Sequence, residues 1–554
     1  MKQNISSWGR RSGLLARAVL LSLAAGFLAG TAQAADFTKP ITGGTDSDYA
    51  GVKSGLTYTF TGDNTITPDT QYYQAGIDYS KNSSGSTLTV NSTGKLSMDV
   101  SGSHQMMLDG IMNKSPNTMN INGDIDVKVN NTKEMGKSYG IYAWNTTGAK
   151  VDVIGNADIS VTAKNIAHGV DVSSANGWID LEGKSGGTIR ITADKTAKDS
   201  AAVSATGDST HVNINYDRGS IRNEDATVQI NGDLYTRKVP NSEAAYSSSV
   251  ESGAIYLGLA GKDSYLHGVM GYRADQTYDE WEEEGTNYYS GDVRLLMKNG
   301  ASWTNEAYAS HTGTEEWTSW AGSKAAYLES DGGVIYQKDT NPITIDSYKG
   351  NVTVVYDHDA SDPAKFAAGD FKISYAQPKS TVTMLTSSTG LSFDPKTDKT
   401  NAAKVLSALA QKLYYTGTSG IGNLTGTVAI ASGLTSSTFQ VSGPIQFSTA
   451  TTGTKTAGQG YYDASADTPD TPSGEEKTGP ITTSENIGET RQADANGTVN
   501  VYVTEQQPIS PTGVSTLYVG GCYRGFHNCR CSGEETPTLN RRNQHGLYGY
   551  HICG

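Results

Sequence analysis

The chain has 554 residues, a formal net charge of -14, 36% hydrophobic residues, 63 glycines and four cysteines. An acidic chain repels nucleic-acid phosphates, which argues against DNA or RNA as a partner. The polar, glycine-rich composition is typical either of disorder or of many short strands joined by turns. The 31 tyrosines and the recurrent Val and Ile pairs favour strands.

Residues 1–34 have the pattern of a secretory signal peptide. Four basic residues and no acidic residue lie within positions 1–17, the apolar run Ala18–Leu28 follows, and Ala32–Ala34 fits the small-residue cleavage rule. The apolar run is too short for a stable membrane span, and no later stretch approaches 18 apolar residues. We expect an exported protein without a transmembrane segment in the mature chain.

Residues 35–455 carry a repeat of about 30 residues. A small residue followed by β-branched alternation recurs at intervals of 34, 30, 29 and 33 residues, at Gly76, Gly110, Gly140, Gly169 and Ala202. A second alternating segment interleaves with it, at Leu88–Val90, Met119–Ile121, Val151–Val153, Ile179–Leu181, Val212–Ile214 and Val228–Ile230. A third often follows a glycine turn, at Ile125–Val129, Ile159–Ala163 and Ile189–Ile191.

This pattern predicts an all-β fold, a parallel β-solenoid over residues 35–455. Alternation places Val, Ile and Leu on one side of each strand and polar residues on the other. One turn of roughly three strands cannot bury its apolar side alone, whereas stacked turns bury it in a continuous core. The alternative is an array of antiparallel β-sandwiches, which would not need a steady period.

The repeat weakens over residues 254–329, where an acidic and aromatic insertion at 278–284 predicts a loop. Five aromatic residues in and near this region are candidate ligand contacts, because such rings stack on sugars or on a protein partner: Trp281, Tyr288, Tyr289, Trp317 and Trp320. The alternative is that these rings cover the edges of solenoid turns or cap the core.

One short helix is predicted over residues 401–413, where apolar residues share one face and Asp398 and Thr400 are candidate caps. We expect it to cover an edge of the solenoid, with a partner-binding helix as the alternative. Residues 456–496 read as a low-complexity, disordered linker. Residues 497–554 read as a short strand at Val499–Val503 followed by an irregular tail.

No catalytic motif is recognisable, so no catalysis, no cofactor and no metal are expected. Elbow-type serine nucleophiles, paired zinc-binding histidines and phosphate-binding loops are absent from the sequence. The segment Asp357–Asp362 begins like a calcium loop but has Asp362 where the sixth position needs glycine. The Cys529-Cys531 spacing in the tail does not match the usual zinc patterns.

Segments in the second half resemble the passenger domains of autotransporters. The resemblance is clearest at Val293–Asn305, Gly332–Tyr336, Ile343–Gly350 and Leu424–Ile430, and it covers roughly residues 290–450. It implies a right-handed β-helix, Sec-type export and display at the cell surface or outer membrane of a Gram-negative bacterium.

The end of the chain departs from this family. A passenger crosses the outer membrane through a C-terminal β-barrel of many strands of about 10 residues, and too little sequence follows Thr504 to build one. All the cysteines lie in this tail, so we expect a truncation or a change of reading frame near Gly520. Without the barrel, the product would be periplasmic or extracellular.

The sequence favours an adhesin-like or structural role, with a host or neighbouring-cell surface protein or glycan as partner. One alternative is a β-helical polysaccharide lyase or hydrolase, which needs acidic side chains clustered on one face of the rod. Carboxylates stacked on successive turns would favour the enzyme, and their absence would favour adhesion. A third reading is a remnant that is never displayed.

Overall fold

The computed structural model describes the solenoid and a few later strands. The described residues are 35–37, 40–42, 57–80, 87–144, 148–206, 209–237, 253–272, 292–309, 322–395, 398–415, 424–431, 445–450, 501–505 and 517–521. The assigned signal peptide, the linker and most of the tail lie outside these residues.

The described residues form strands β1 to β34 and one helix, α1 (Lys399–Ala410). In chain order the strands are β1 Ala35–Phe37, β2 Ile41–Thr42, β3 Thr57–Phe60, β4 Asn64–Ile66, β5 Ala75–Tyr79, β6 Leu88–Gly102, β7 Met107–Asn113, β8 Thr118–Asn131, β9 Lys137–Ala143, β10 Lys150–Ile154, β11 Ala157–Ala163, β12 Ile166–Val172, β13 Trp178–Glu182, β14 Thr188–Thr192, β15 Asp199–Thr206, β16 His211–Ile214, β17 Tyr216–Asp217, β18 Ser220–Ile221, β19 Thr227–Asn231, β20 Leu234–Arg237, β21 Ala254–Ala260, β22 Tyr265–His267, β23 Met270–Tyr272, β24 Asp292–Lys298, β25 Ser302–Asn305, β26 Ser323–Gln337, β27 Ile343–Tyr356, β28 Phe371–Ile373, β29 Ser380–Ser387, β30 Leu413–Tyr415, β31 Leu424–Ala431, β32 Ile445–Ala450, β33 Val501–Glu505 and β34 Leu517–Gly521.

The strands stack into three parallel faces of one solenoid. Face A contains β3, β10, β13, β16, β21 and β24, and face B contains β1, β4, β11, β14, β19, β22 and β25. The long strands β6, β8, β26 and β27 bend from face A into face B and merge them into one sheet. Face C is the eight-stranded sheet of β2, β5, β7, β9, β12, β15, β20 and β23.

The register confirms the predicted parallel β-solenoid. On face C, Ile77 pairs with Ile111, Ile111 with Ile141, Ile141 with Val170 and Val170 with Val203, which reproduces the intervals of 34, 30, 29 and 33 residues. Parallel neighbours about one turn apart in sequence exclude the antiparallel sandwich array for the described solenoid.

One segment was assigned to the wrong face. Val228 pairs with Ile189 and Ile230 with Ile191, so Val228–Ile230 continues the third repeat on face B and not the second repeat on face A. The reason is that face A is next occupied by β21, whose Ile255 pairs with Val212. The hairpin β17–β18 separates β16 from β19 in this turn. The alternation of Val228–Ile230 alone does not reveal on which face the segment lies.

The inward side chains form one continuous apolar core from the first turns to α1. Alternation is strict on face A, where Val151 and Val153 are buried and Asp152 between them points outward. Trp303 is fully buried, and its indole Nε1 donates to Gly268 O at 2.9 Å. Each turn therefore buries its apolar side against its neighbours, as the repeat requires.

The recurring small residues mark the closest approach between faces C and B. A Cβ at Gly140 would lie 2.3 Å from Ile159 Cγ2 and 2.4 Å from the carbonyl oxygen of Gly169. A Cβ at Gly110 would lie 2.1 Å from Val127 Cγ1. The recurring spacing of small residues therefore marks positions on successive turns of face C where branched side chains of face B contact the backbone and leave no room for a Cβ atom.

The helix caps the last turns of the solenoid. Asp398 is its N-cap and accepts from the backbone N–H of Asn401 at 3.0 Å, while Val405 and Leu409 lie in the core. The predicted end at position 413 is wrong, because Leu413 starts β30 and pairs with Phe371. No helix among the described residues has the length and apolar character to cross a bilayer.

Candidate functional site

A groove of about 760 Å³ lies on the outer side of face A. Outward side chains from successive turns line up there: Asp152 of β10 lies beside Asp180 of β13, followed by Asn213, Tyr256 and Arg294. Because strand side chains alternate, the same register that buries the core sets this polar row on the surface. The solenoid is therefore a rigid support for the groove.

The hairpin β17–β18 forms one wall of the groove. Asp217 pairs with Ser220, and Arg218 and Gly219 make the two-residue turn between them. The Tyr216 ring stacks on Tyr256, with centroids 5.1 Å apart and planes at 18°. This stack anchors the hairpin against face A.

A stacked pair of aromatic rings, Trp178 and His211, lies beside the row of polar side chains. Trp178 and His211 stack with centroids 5.4 Å apart and planes at 20°, and Lys150 Nζ lies 3.6 Å from the Trp178 ring centroid. The indole Nε1 donates to Asp152 Oδ1 at 3.2 Å, which fixes the ring orientation. Burial and the charge of Lys150 lower the pKa of His211 below its ordinary 6.5, so its ring is neutral at neutral pH.

Carboxylates at the groove floor share one guanidinium. Arg222 contacts Asp180 Oδ2 at 2.8 Å and Glu182 Oε2 at 2.6 Å. Asp180 Oδ1 is buried and has no hydrogen-bond partner among the described residues. Burial, opposed by Arg222, raises the pKa of Asp180 to about 6. At neutral pH this carboxylate is ionised, with Oδ2 held by Arg222 and Oδ1 enclosed.

These features suit a ligand with flat apolar faces and many hydroxyls. The half-buried rings of Trp178, His211 and Tyr256 line the groove and supply apolar surface for a sugar ring. The carboxylates and guanidinium groups supply acceptors and donors for its hydroxyls. Sugars combine both kinds of surface in each residue of the chain. A second groove of about 520 Å³ on face B contains Tyr265, His267 and Glu306 but no tryptophan.

Face C carries a buried cluster of ionisable groups, the His168 cluster, made of Asp109, Tyr139, Tyr142, His168, Asp171 and Asp199. His168 Nδ1 lies 2.6 Å from Asp171 Oδ2, and Nε2 lies 3.3 Å from Asp199 Oδ1. Burial alone would lower the pKa of His168, but the charges of Asp199 and Asp171 and their hydrogen bonds outweigh it and raise the pKa to about 10. The imidazole is therefore positively charged at neutral pH.

Burial favours the uncharged forms of Asp109, Tyr139 and Tyr142, whereas Asp171 and Asp199 carry the charges that face His168. Tyr139 and Tyr142 stack with centroids 4.1 Å apart, and burial raises the pKa of both phenols. Neither carboxyl oxygen of Asp109 has a hydrogen-bond partner among the described residues, and burial raises its pKa well above the ordinary value. The cluster contributes to the stability of the solenoid and has no cavity of its own among those described above.

Metal ligands do not come together in the described part of the chain, where no three His, Cys, Asp or Glu residues are placed to hold an ion. The segment at 357–362 forms a hydrogen-bonded bend in which Asp359 Oδ1 accepts from the backbone N–H of Ser361 at 2.7 Å. The tail cysteines Cys522, Cys529, Cys531 and Cys553 lie outside the described residues.

The five aromatic residues predicted as ligand contacts also lie outside the described residues: Trp281, Tyr288, Tyr289, Trp317 and Trp320. The groove residues were missed, although the sequence contained a signal for them. Asp152 and Asp180 each stand between two apolar residues of the second repeat, so aligning the repeats places one carboxylate next to the other on the outer side of face A.

Comparison with known proteins identifies no relative: no family model, curated protein or solved structure matches the chain.

Proposed function

We propose that the protein is an exported, cell-surface β-solenoid that binds a glycan in the face A groove without catalysis. The observation that carries the proposal is the stacked Trp178–His211 pair beside the aligned carboxylates Asp152 and Asp180. Both kinds of contact that sugars need are held by one rigid sheet.

The dimensions of the groove favour a glycan over a folded protein partner. Stable protein interfaces cover about 800 Å² on each partner and have an apolar centre. The groove floor instead carries ion-paired side chains, Arg222 with Asp180 and Arg294 with Asp292. Such a charged, narrow surface suits a polar chain of a few sugar residues.

Export and surface display are supported by the signal-like residues 1–34 and by the parallel solenoid, which resembles autotransporter passengers in architecture. A groove on the outer side of an exported rod is accessible to a glycan of a host or neighbouring cell. An adhesin-like role follows from these two features together.

Replacing Trp178 by Ala is expected to weaken glycan binding about tenfold or more, since flat aromatic anchors dominate such sites. A glycan array with the wild-type protein identifies the ligand, and calorimetry then compares the variant. Trp144 is a matched control, because it also stacks on an aromatic ring, Tyr142, at 5.8 Å, but does not line the groove.

Equal losses of affinity in Trp178→Ala and Trp144→Ala would show that binding, if any, is elsewhere. Retained affinity in Trp178→Ala would have the same meaning. Circular dichroism on both variants separates a binding defect from a folding defect.

A polysaccharide-cleaving enzyme is the second candidate, because Asp152 and Asp180 lie on adjacent parallel strands, about 4.8 Å apart along the stack. Retaining glycosidases hold two carboxyl groups about 5–5.5 Å apart, one of them with a raised pKa. The pKa of Asp180 fits that role, but its ion pair with Arg222 opposes proton donation. We therefore rank binding without catalysis first.

Reducing-end release from the array-identified polysaccharide distinguishes the two functions. We expect none above background from the wild-type protein. Release that falls about 100-fold or more in Asp180→Asn, with binding retained, would instead establish the enzyme. Asp217→Asn serves as control, since this carboxylate lies at the groove wall and its side chain is 57% exposed.

A further inference from the structure

The turn of the hairpin β17–β18 places an arginine in a backbone conformation that disfavours it. Arg218 has φ of +45° and Gly219 has φ of +90°, as in the two-residue turns that match the twist of a hairpin. Glycine, Asn and Asp are the residues that adopt this conformation readily. Long side chains in it are strained, and such strain is concentrated at functional sites.

Other positive φ values in the described residues mostly follow this preference. Asn176, Asn215 and Asn299 occupy three of those positions. Lys379 is the other long side chain with positive φ, and it does not line the groove. Arg218 does line it, which links the strained position to the proposed site.

The guanidinium of Arg218 is also the uncommitted cation of the groove. Its side chain is 96% exposed, and Nε lies 4.0 Å from Asp217 Oδ1, at the outer limit of an ion pair. By contrast, Arg222 and Arg294 each hold a carboxylate at 2.8 Å or less. Arg218 alone among these three retains a free fork of donors.

We propose that Arg218 selects glycans that carry a carboxylate, such as uronic or sialic acids. This inference rests on the proposed glycan-binding function. A guanidinium fork binds a carboxylate with two parallel hydrogen bonds, which an ammonium group does not match. Its place at the tip of the hairpin puts the acidic group of the ligand at the rim of the groove.

The charges of the floor support this orientation. Asp180 and Glu182 would repel a sugar carboxylate placed over them, whereas they accept hydrogen bonds from neutral hydroxyls. An acidic sugar is therefore stable with its hydroxyls toward Asp180 and its carboxylate toward Arg218. The ligand then lies across the groove and contacts the half-buried Trp178, which lines it.

Arg218→Asn separates binding from stability, because Asn suits the turn better than Arg. The probes are 3′-sialyllactose, its methyl ester and lactose, together with tri-galacturonate and its methyl ester, measured by calorimetry. We expect the wild-type protein to prefer at least one acidic sugar over its ester about tenfold or more. Arg218→Asn should abolish that preference, with the affinity for the acid falling about tenfold more than the affinity for the ester, and should raise the melting temperature by about 1–2 °C. Arg218→Lys, which keeps the charge without the fork, should retain only part of the preference.

A preference that persists in Arg218→Asn, or a wild-type protein that binds acid and ester equally, overturns this inference and leaves glycan binding intact. A lower melting temperature with loss of all binding in Arg218→Asn overturns it too, because the residue would then be structural. Wild-type protein that binds none of these probes and no glycan on the array overturns both proposals.

Discussion

Gly140→Val is expected to prevent the solenoid from folding. A Cβ at this position would already lie 2.3 Å from Ile159 Cγ2 and 2.4 Å from the backbone oxygen of Gly169, and valine adds two methyl groups. The backbone of the next turn, β12, cannot shift easily because it is hydrogen-bonded in register to a strand on each side. Overpacking usually costs about 1–3 kcal/mol, and a clash with backbone exceeds that range. Soluble yield, circular dichroism and thermal unfolding measure the effect.

Gly186→Asn is the matched control. Gly186 also lies in the repeat region, but a Cβ there meets no heavy atom within 4 Å, and its φ of +67° is one that Asn tolerates. We expect it to change stability by about 1 kcal/mol or less. If Gly140→Val folds with wild-type stability, Gly140 of face C is not in close contact with Ile159 of face B.

This column of small residues also explains why the fold is readable from the sequence. A position that admits no side chain recurs once per turn, so the intervals between Gly76, Gly110, Gly140 and Gly169 count the turns directly. The alternating Val and Ile residues then identify the strands, because each strand presents one side to a core shared by all turns.

Features of the fold that depend on contacts between residues distant in sequence could not be predicted from the repeat pattern. Leu413 continues the apolar spacing of α1, yet it pairs with Phe371 of an earlier turn, and this tertiary pairing ends the helix sooner. Val228–Ile230 looks like the second repeat, but β16 already occupies face A in that turn, and after the hairpin β17–β18 the chain pairs on face B. Local alternation specifies a strand and does not specify its neighbour.

The groove, too, depends on contacts between residues that are distant in sequence. The aromatic residues predicted as ligand contacts cluster in sequence around Trp281 and Trp317. The structure instead assembles Trp178, His211 and Tyr256 from three different turns. In a parallel stack, side chains about one repeat apart in sequence become neighbours in space. A binding site is therefore made of residues from several repeats, and the sequence reveals it only when the repeats are aligned.

The same strands contribute residues to both the core and the groove. The inward residues of β13 stabilise the rod while its outward residues Trp178, Asp180 and Glu182 line the groove. Rigid strands hold such side chains more precisely than loops do. Among the residues that line the groove, Arg218 is the non-glycine residue with a positive φ, so its backbone conformation there opposes its local preference.

His168→Gln is expected to destabilise the solenoid by about 3–5 kcal/mol, the usual cost of leaving a buried charge without its partner. In the wild-type protein the charged imidazole lies between Asp171 and Asp199, and all three side chains are at most 12% exposed. Glutamine keeps the size and one hydrogen bond but removes the positive charge. His211→Gln is the control, because His211 is neutral and lies at the groove, so its replacement should cost about 1 kcal/mol or less.

The same site gives a pH dependence of known sign. The pKa of His168 is raised from 6.5 in the unfolded chain to about 10 in the fold, so its contribution is full below pH 6.5 and is lost as pH rises toward 10. Between these values the folded chain holds one proton more, and the unfolding free energy should fall by up to about 1.4 kcal/mol per pH unit. Asp109, Tyr139 and Tyr142 face His168 within the cluster, and the raised pKa of each also favours the fold at lower pH.

A triple variant isolates the contribution of the imidazole and its two carboxylates. His168→Gln combined with Asp171→Asn and Asp199→Asn carries no charge in the triad, so denaturant unfolding between pH 7 and 9 should lose most of the wild-type slope. The charge of Asp171 also raises the pKa of Asp109 and of both tyrosines, so the comparison is made with Asp109→Asn in both proteins to remove the slope that Asp109 contributes. With Asp109→Asn in both proteins, a slope that survives in the triple variant would mean that His168 is neutral in the folded protein. A slope that disappears, together with the large loss in the single variant, would establish face C as a charged interior that makes the rod most stable in mildly acidic surroundings.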